Sequence, residues 1–234
     1  MPLGFWGLLG ALGFAAAVIS LAGFGSAWAW WLESLSHFRM QYAVCFVLLA
    51  VIFAWGRKWK HMAGAFAMAL VNILPVLLFL LPPAPAAPGD VSSFRAMLLN
   101  VNSARGDPVA VQMAVSNARP DFLVLEEISD RWLADLAPIL ADFPFREIQP
   151  RHDNFGIGLF SRLPLASARI IPFGLVDIPT VFAQVQLDDR FCTLIATHPM
   201  PPGDALLAGE RNRHLNWLAG EIADLSGPVW VVGD

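Results

Sequence analysis

The chain has 234 residues, of which 56% are hydrophobic and only 15% charged, well below the roughly one quarter charged that a soluble domain carries. A formal net charge of -4 supplies no basic footprint, which argues against tight nonspecific nucleic-acid binding by phosphate neutralisation. The two cysteines, Cys45 in an apolar run and Cys192 in an expected strand, imply no disulfide framework.

The hydrophobic excess sits at the amino terminus. From Met1 to Leu81 the only charged residues are Glu33, Arg39, Arg57, Lys58 and Lys60. Three apolar stretches lie among them: Leu3 to Trp31, Gln41 to Trp55, and Ala63 to Leu81. A membrane span needs about 20 apolar residues. The first and third reach that length, and the second does so as Phe38 to Gly56 if Arg39 snorkels to the interface. The first stretch lacks a basic start and is long for a signal peptide. Residues 1–81 are therefore expected to be a membrane anchor of three transmembrane helices, with tryptophans near their ends and a tolerated Pro75 in the third. Arg57, Lys58 and Lys60 make the second connection the cytoplasmic one. That places everything after Leu81 outside: an integral protein of a bacterial inner or plasma membrane with a periplasmic or extracytoplasmic domain.

Pro82, Pro83, Pro85 and Pro88 read as a semi-rigid linker over residues 82–89. From Asp90 onward the composition is that of a soluble domain, residues 90–234. Arg95 to Val101 reads as a strand. Asp107 and Pro108 start a helix that runs to about Ala118. Phe122 to Leu125 is a continuous apolar run, as in a strand buried on both faces. Arg131 to Leu140 reads as a helix, and Phe155 to Ser161 as a strand turned by Arg162-Leu163-Pro164. Thr180 to Leu187 alternates, with Val181, Ala183, Val185 and Leu187 on one face. Asp188-Asp189-Arg190 turns into a strand over Phe191 to Thr197. Asp204 to Leu225 is an amphipathic helix, and Val229 to Val232 a last buried strand. The order suits an α+β sandwich of packed sheets with outer helices.

Five runs carry chemistry: Met97-Leu98-Leu99-Asn100-Val101, Pro120 to Glu127, Phe155 to Arg162, Ala196-Thr197-His198-Pro199, and Pro228 to Asp234. Taken singly, each polar residue has an ordinary structural role. A Glu after an apolar strand is more often a solvated loop residue than a ligand, Asn100 a turn former, and His198 a satisfied strand-end histidine. Arg162 suits a turn-holding role, and Arg211, Arg213 and His214 suit the solvated face of the last helix. His152, Asp153 and Asn154 precede a strand without a motif to assign them.

In their order, the five runs resemble the endonuclease/exonuclease/phosphatase family. The resemblance implies a four-layer α/β/β/α sandwich and a metal-dependent hydrolase, a phosphodiesterase, nuclease or phosphatase, using Mg²⁺ (or Mn²⁺). It makes Glu127 the principal metal ligand, with Asn100 as an adjacent ligand or orienter. His198 would hydrogen-bond a nonbridging phosphate oxygen, and Asp234 would orient or deprotonate the attacking water. The family usually has Gln where this chain has Glu126. Because successive strand side chains face opposite sides, only one of Glu126 and Glu127 is expected to face the metal, and the match selects Glu127. The implied partners are a phosphoester substrate (nucleic acid, nucleotide or lipid head group) and membrane lipid, with no protein partner evident. The chain ends at Asp234, before the Asn that follows in the family's Gly-Asp-x-Asn motif. The domain is accordingly expected to be carboxy-terminally incomplete and inactive by itself. The alternative from another class is a non-catalytic, membrane-anchored binding protein of the same fold.

Overall fold

In a computed structural model the chain divides into two compact units, Met1–Ala87 and Pro88–Asp234. The structure describes residues 4–26, 28–81, 94–187 and 190–234. The proline-rich linker and the Asp188-Asp189 turn lie outside them.

The first unit is helical: α1 (Phe5–Ala22), α2 (Trp30–Ser36), α3 (Arg39–Trp55) and α4 (Trp59–Leu80). Two stretches, Phe5–Gly25 and Trp59–Leu78, are long and apolar enough to cross a membrane. A third exists only if α2 and α3, bent by 55° at their junction, count as one span. The expected three spans are thus corrected to two, or three on that condition. The physical reason is local. α3 covers 17 residues, short of a span by itself, and the chain bends at His37 and Phe38 between α2 and α3. Pro75 lies inside α4 without ending it.

Phe46, Ala50 and Phe53 of α3 pack with Ala65 and Ala69 of α4, and Trp6 and Leu9 of α1 close over them. One polar pair is buried among these helices. Ser20 donates to Asn72 Oδ1 at 3.0 Å, and Asn72 Nδ2 lies 2.7 Å from Ser20 Oγ and donates to the Met68 carbonyl at 2.9 Å.

The second unit holds two four-stranded sheets, ordered β1-β2-β4-β3 and β5-β6-β7-β8. The first contains β1 (Ala96–Asn100), β2 (Phe122–Glu126), β3 (Phe145–Gln149) and β4 (Ile157–Ser161). The second contains β5 (Leu165–Phe173), β6 (Ile178–Leu187), β7 (Arg190–Thr197) and β8 (Val229–Val232). Helix α5 (Pro108–Ala118) joins the parallel pair β1 and β2, and α8 (Ala205–Ala223) joins the parallel pair β7 and β8. Both helices are capped as their sequences suggest: Asp107 accepts from the Val109 N–H, and Asp204 from the Leu207 N–H.

Two strands had no signal in the sequence, β3 and β5. Each is an edge strand with mixed exposure, so neither shows the clean run or alternation of a buried strand. The helix expected over Arg131 to Leu140 is two short ones, α6 (Asp130–Asp135) and α7 (Ala137–Leu140). Pro138 lacks the N–H that would continue α6 and instead occupies the first turn of α7.

The layering follows from side-chain alternation. On one face of β2, Leu123 and Leu125 pack with Val115, Trp132, Leu136 and Leu140 from α5, α6, α7 and their junctions. On its other face, Phe122 and Val124 join Ile157 and Leu159 against Val181, Ala183, Leu194 and Ala196 of the second sheet. Leu218 of α8 covers Phe182 and Ile195 on the far side of that sheet. The order is helix, sheet, sheet, helix. Each fully buried Leu, Ile or Phe contributes about 1.5–3 kcal/mol relative to exposure, so the two sheet faces are firmly held together.

Candidate metal centre

The parallel pairs β1–β2 and β7–β8 deliver their carboxy-terminal ends to one place. Asn100 ends β1 and is paired in register with Glu126, which ends β2. His198 follows the last residue of β7, and Asp234 follows Gly233 after β8. Asn100 Nδ2 donates to Glu127 Oε1 at 2.9 Å and makes a longer contact with Asp234 Oδ2 at 3.4 Å. Its Oδ1 accepts from the Asn102 N–H at 3.0 Å, which fixes the orientation of the amide. One ligand atom each from Glu126, His198 and Asp234 lies within 4.8 Å of the others. All four residues singled out from sequence, Asn100, Glu127, His198 and Asp234, therefore stand in one cluster with Glu126.

Glu126 departs from expectation. Strict alternation was to send only one of the two adjacent glutamates to the site, yet both reach it. Glu126 continues the face of Phe122 and Val124 between the sheets and is fully buried. The strand then breaks, because Glu127 has a left-handed φ of 62°, and this redirects the second carboxylate towards Asn100. Ser103 holds it there: its N–H donates to Glu127 Oε2 at 3.0 Å and its hydroxyl to the Glu127 carbonyl at 3.0 Å. Sequence reasoning passed over Glu126 and Ser103. The period-two pattern Phe122, Val124, Glu126 was the available signal for the first; nothing in the sequence marked the second.

Electrostatics sets Glu126 apart. Burial pushes its carboxyl up to about 7, against a backbone N–H from Asp234 that lowers it; the nearby charges of Asp234 and Glu127 push it further up. That N–H donates to Glu126 Oε1 at 3.2 Å. Glu126 Oε2 and His198 Nδ1 are buried and have no hydrogen-bond partner among the described residues. Unpaired buried polar atoms are rare in native structures, and here two occur in one cluster. Carboxylate and amide oxygens are the donors that Mg²⁺ or Mn²⁺ takes, and an imidazole beside them suits the transition ions. The residues fit a divalent cation.

The surroundings are braced. The Arg151 guanidinium donates to Asp153, as close as 2.6 Å, and to the carbonyls of Val176 and Asp177. That contact holds the Asp153 carboxyl below its usual range. Ser103 Oγ lies 3.5 Å from the Asp153 carbonyl, and the Phe155 ring lies 5.8 Å from the His198 ring. The unassigned segment from His152 to Asn154 thus adjoins the site through Asp153. A cleft of about 460 Å³ opens beside the cluster, lined by His198, Pro199, Arg211, Gly233 and Asp234 among others.

Arg162 is structural, as read: it donates to the Pro120 carbonyl and to Asp142 and lies over the Phe143 ring. His214 is not on a solvated face. It is 1% exposed, and its Nε2 lies 2.9 Å from Thr180 Oγ1 and 3.4 Å from Thr197 Oγ1. The cause is its position on α8 above the β6–β7 pair, where its ring stacks on Phe173 at 4.7 Å.

The model for the Endonuclease/Exonuclease/phosphatase family matches residues 97–234, more than half of the chain. No curated protein matches. Among solved structures, the chain is similar to TDP2 from C. elegans, with 17% identity, a TM-score of 0.53, and coverage of 84% of this chain and 65% of that one. It is also similar to D. rerio TDP2 complexed with single strand DNA product, with 15% identity, a TM-score of 0.52, and coverage of 60% and 58% respectively. Truncated C. elegans TDP2 gives 19% identity, a TM-score of 0.50, and 60% and 61%. The chain spans about three fifths of the length of these structures. At such identities the likeness is one of fold.

Proposed function

The chain belongs to the endonuclease/exonuclease/phosphatase family, and from that premise we propose that it is a membrane-anchored phosphoester hydrolase dependent on a divalent cation. The observation that carries this reading is the meeting of Asn100, Glu126, Glu127, His198 and Asp234 at the ends of four strands. Family members act on phosphoesters, and a phosphoester needs charge neutralisation together with a placed nucleophile.

Glu127 and Asn100 would hold the cation, Mg²⁺ or Mn²⁺, which supplies Lewis-acid neutralisation of phosphate charge when bound. Asn100 orients the Glu127 carboxylate by its 2.9 Å hydrogen bond. Ser103 fixes the same carboxylate from the other side, so it would meet the cation without reorganisation. His198 borders the cleft and donates a ring N–H to a nonbridging phosphate oxygen as charge grows there. Asp234 stands between His198 and Asn100 and takes or directs the proton of the attacking water.

The helices Phe5–Gly25 and Trp59–Leu78 support the anchor. The basic residues Arg57, Lys58 and Lys60 at one end support an extracytoplasmic hydrolase unit. Reporter fusions at Asp90 that are active only in the cytoplasm would reverse that orientation. An anchored position favours phosphoesters found at or near the bilayer, lipid head groups or small esters, over long nucleic acid.

The experiment is hydrolysis of bis-p-nitrophenyl phosphate by the full-length protein in detergent, with Mg²⁺, Mn²⁺ or EDTA, beside Glu127→Ala. Turnover that requires the cation and falls by at least about 100-fold in the variant supports the reading. A folded protein with no turnover under any of these conditions points to a binding protein of the same fold.

A further inference from the structure

We propose that Glu126, His198 and Asp234 form a second divalent-cation site beside the one assigned to Glu127 and Asn100, with Asp234 shared between the two. The dinuclear character rests on the functional reading above; a cation at Glu126 does not.

Three elements contribute to this site: the last residue of β2, the residue after β7, and the second residue after β8. Their ligand atoms lie within 4.8 Å of one another, so small side-chain shifts bring all three onto one ion. Glu126 is 0% exposed and its Oε2 has no partner among the described residues, and His198 Nδ1 is likewise buried and unpaired. The other acid of the cluster does not relieve them. The carboxylate of Glu127 faces Asn100 and Ser103 instead. The Asp234 N–H reaches only Oε1 of Glu126. An unpaired carboxylate oxygen in such a place calls for a cation or a proton.

Asp234 can serve both sites because its carboxylate has two oxygens, one of them already 3.4 Å from Asn100 Nδ2. Carboxylate-bridged ions in hydrolases stand about 3.5–4 Å apart. His198 can serve two ends in the same way, with one ring nitrogen on the cation and the other facing the cleft. The donor set also selects the ion. Two carboxylates and an imidazole suit Mn²⁺ or Zn²⁺, whereas Mg²⁺ keeps to oxygen and water. The second site is therefore one for a nitrogen-accepting ion, even where Mg²⁺ fills the first.

The test is metal stoichiometry and coupling in the full-length protein in detergent, stripped with EDTA and loaded with Mn²⁺, with no substrate present. Two Mn²⁺ per chain with an exchange-coupled EPR spectrum are expected. Glu126→Gln, which keeps the size of the side chain and removes a buried charge, should bind one Mn²⁺ with the uncoupled six-line signal. Glu127→Ala should also bind one, now through Glu126, His198 and Asp234. One Mn²⁺ in the wild type, unaffected by Glu126→Gln and lost in Glu127→Ala, would overturn the second site and leave the hydrolase reading standing. One Mn²⁺ lost in Glu126→Gln but kept in Glu127→Ala would keep the site and move the metal of the proposed reaction onto it. No Mn²⁺ bound by the folded wild type would overturn the site, with a proton left as the occupant of Oε2.

Discussion

Gly233 lies against Thr197 so closely that a Cβ on it would overlap the Thr197 carbonyl oxygen. This contact between the ends of β7 and β8 is what sets Asp234 beside His198, since each is the next residue along its strand. Gly233→Ala must part the two strand ends or shift one of them. Overpacking of this kind costs about 1–3 kcal/mol, and a displacement near 1 Å at a reacting centre can cost about 100-fold in rate. The variant is expected to melt at lower temperature and to lose cation-dependent hydrolysis by about that factor. Wild-type turnover from Gly233→Ala would show that the spacing of His198 and Asp234 is not critical.

Glu126 supplies a pH dependence with a definite sign. Its carboxyl titrates at about 7 in the folded chain, against an ordinary 4.5. Between those values the folded state holds a proton that the unfolded state has released, so stability falls as pH rises from about 4.5 to about 7 and then levels off. The shift corresponds to about 3 kcal/mol. In EDTA, the melting temperature of the wild type should drop relative to that of Glu126→Gln between pH 5 and pH 8. Parallel curves for the two proteins across that range would contradict the assignment. Added Mn²⁺ should diminish the difference, because a bound cation replaces the proton.

His214 sits behind the site in a chain of buried hydroxyls. Thr180 and Thr197 lie 3.0 Å apart, and His214 Nε2 faces both. Nδ1 has no partner among the described residues, and a lone pair is cheaper to leave unpaired than an N–H. The proton therefore belongs on Nε2, donated to Thr180. Burial lowers the imidazole's readiness to charge. His214→Gln keeps a donor; His214→Leu does not. Denaturant titration should show the Leu variant less stable than the Gln variant by about 1–2 kcal/mol. Equal stabilities would mean that the ring acts only by stacking on Phe173.

Within the helical unit, Ser20 and Asn72 tie α1 to α4. Hydrogen bonds between helices in a membrane setting are worth about 0.6–2 kcal/mol. Asn72→Leu should lower the resistance of the helical unit to unfolding by SDS in mixed micelles by an amount in that range, while leaving hydrolysis by the second unit unchanged. A more resistant variant would show that packing outweighs the polar pair.

Some of this protein was legible in residue order alone. The apolar excess before Leu81, the buried runs of β2, β4 and β7, and the cap at Asp107 are all local patterns, and local physics decides them. Val229 to Val232, expected as a buried strand, is instead the half-exposed edge strand β8, because no further strand pairs with it among the described residues. The five ordered runs likewise marked the family and four residues of the cluster. What needed the tertiary structure was everything that depends on a neighbour distant in sequence. Edge strands β3 and β5 are half-exposed and carry no sharp pattern until a partner strand sets their register. The fate of the Glu126-Glu127 pair turned on the left-handed φ at Glu127 and on Ser103, so a strict alternation rule failed where the strand itself ended. His214 looked solvated because its helix is polar, but packing on Phe173 and the two threonines put it inside. Periodicity says which face a side chain takes; only the assembled sheets say what waits on that face.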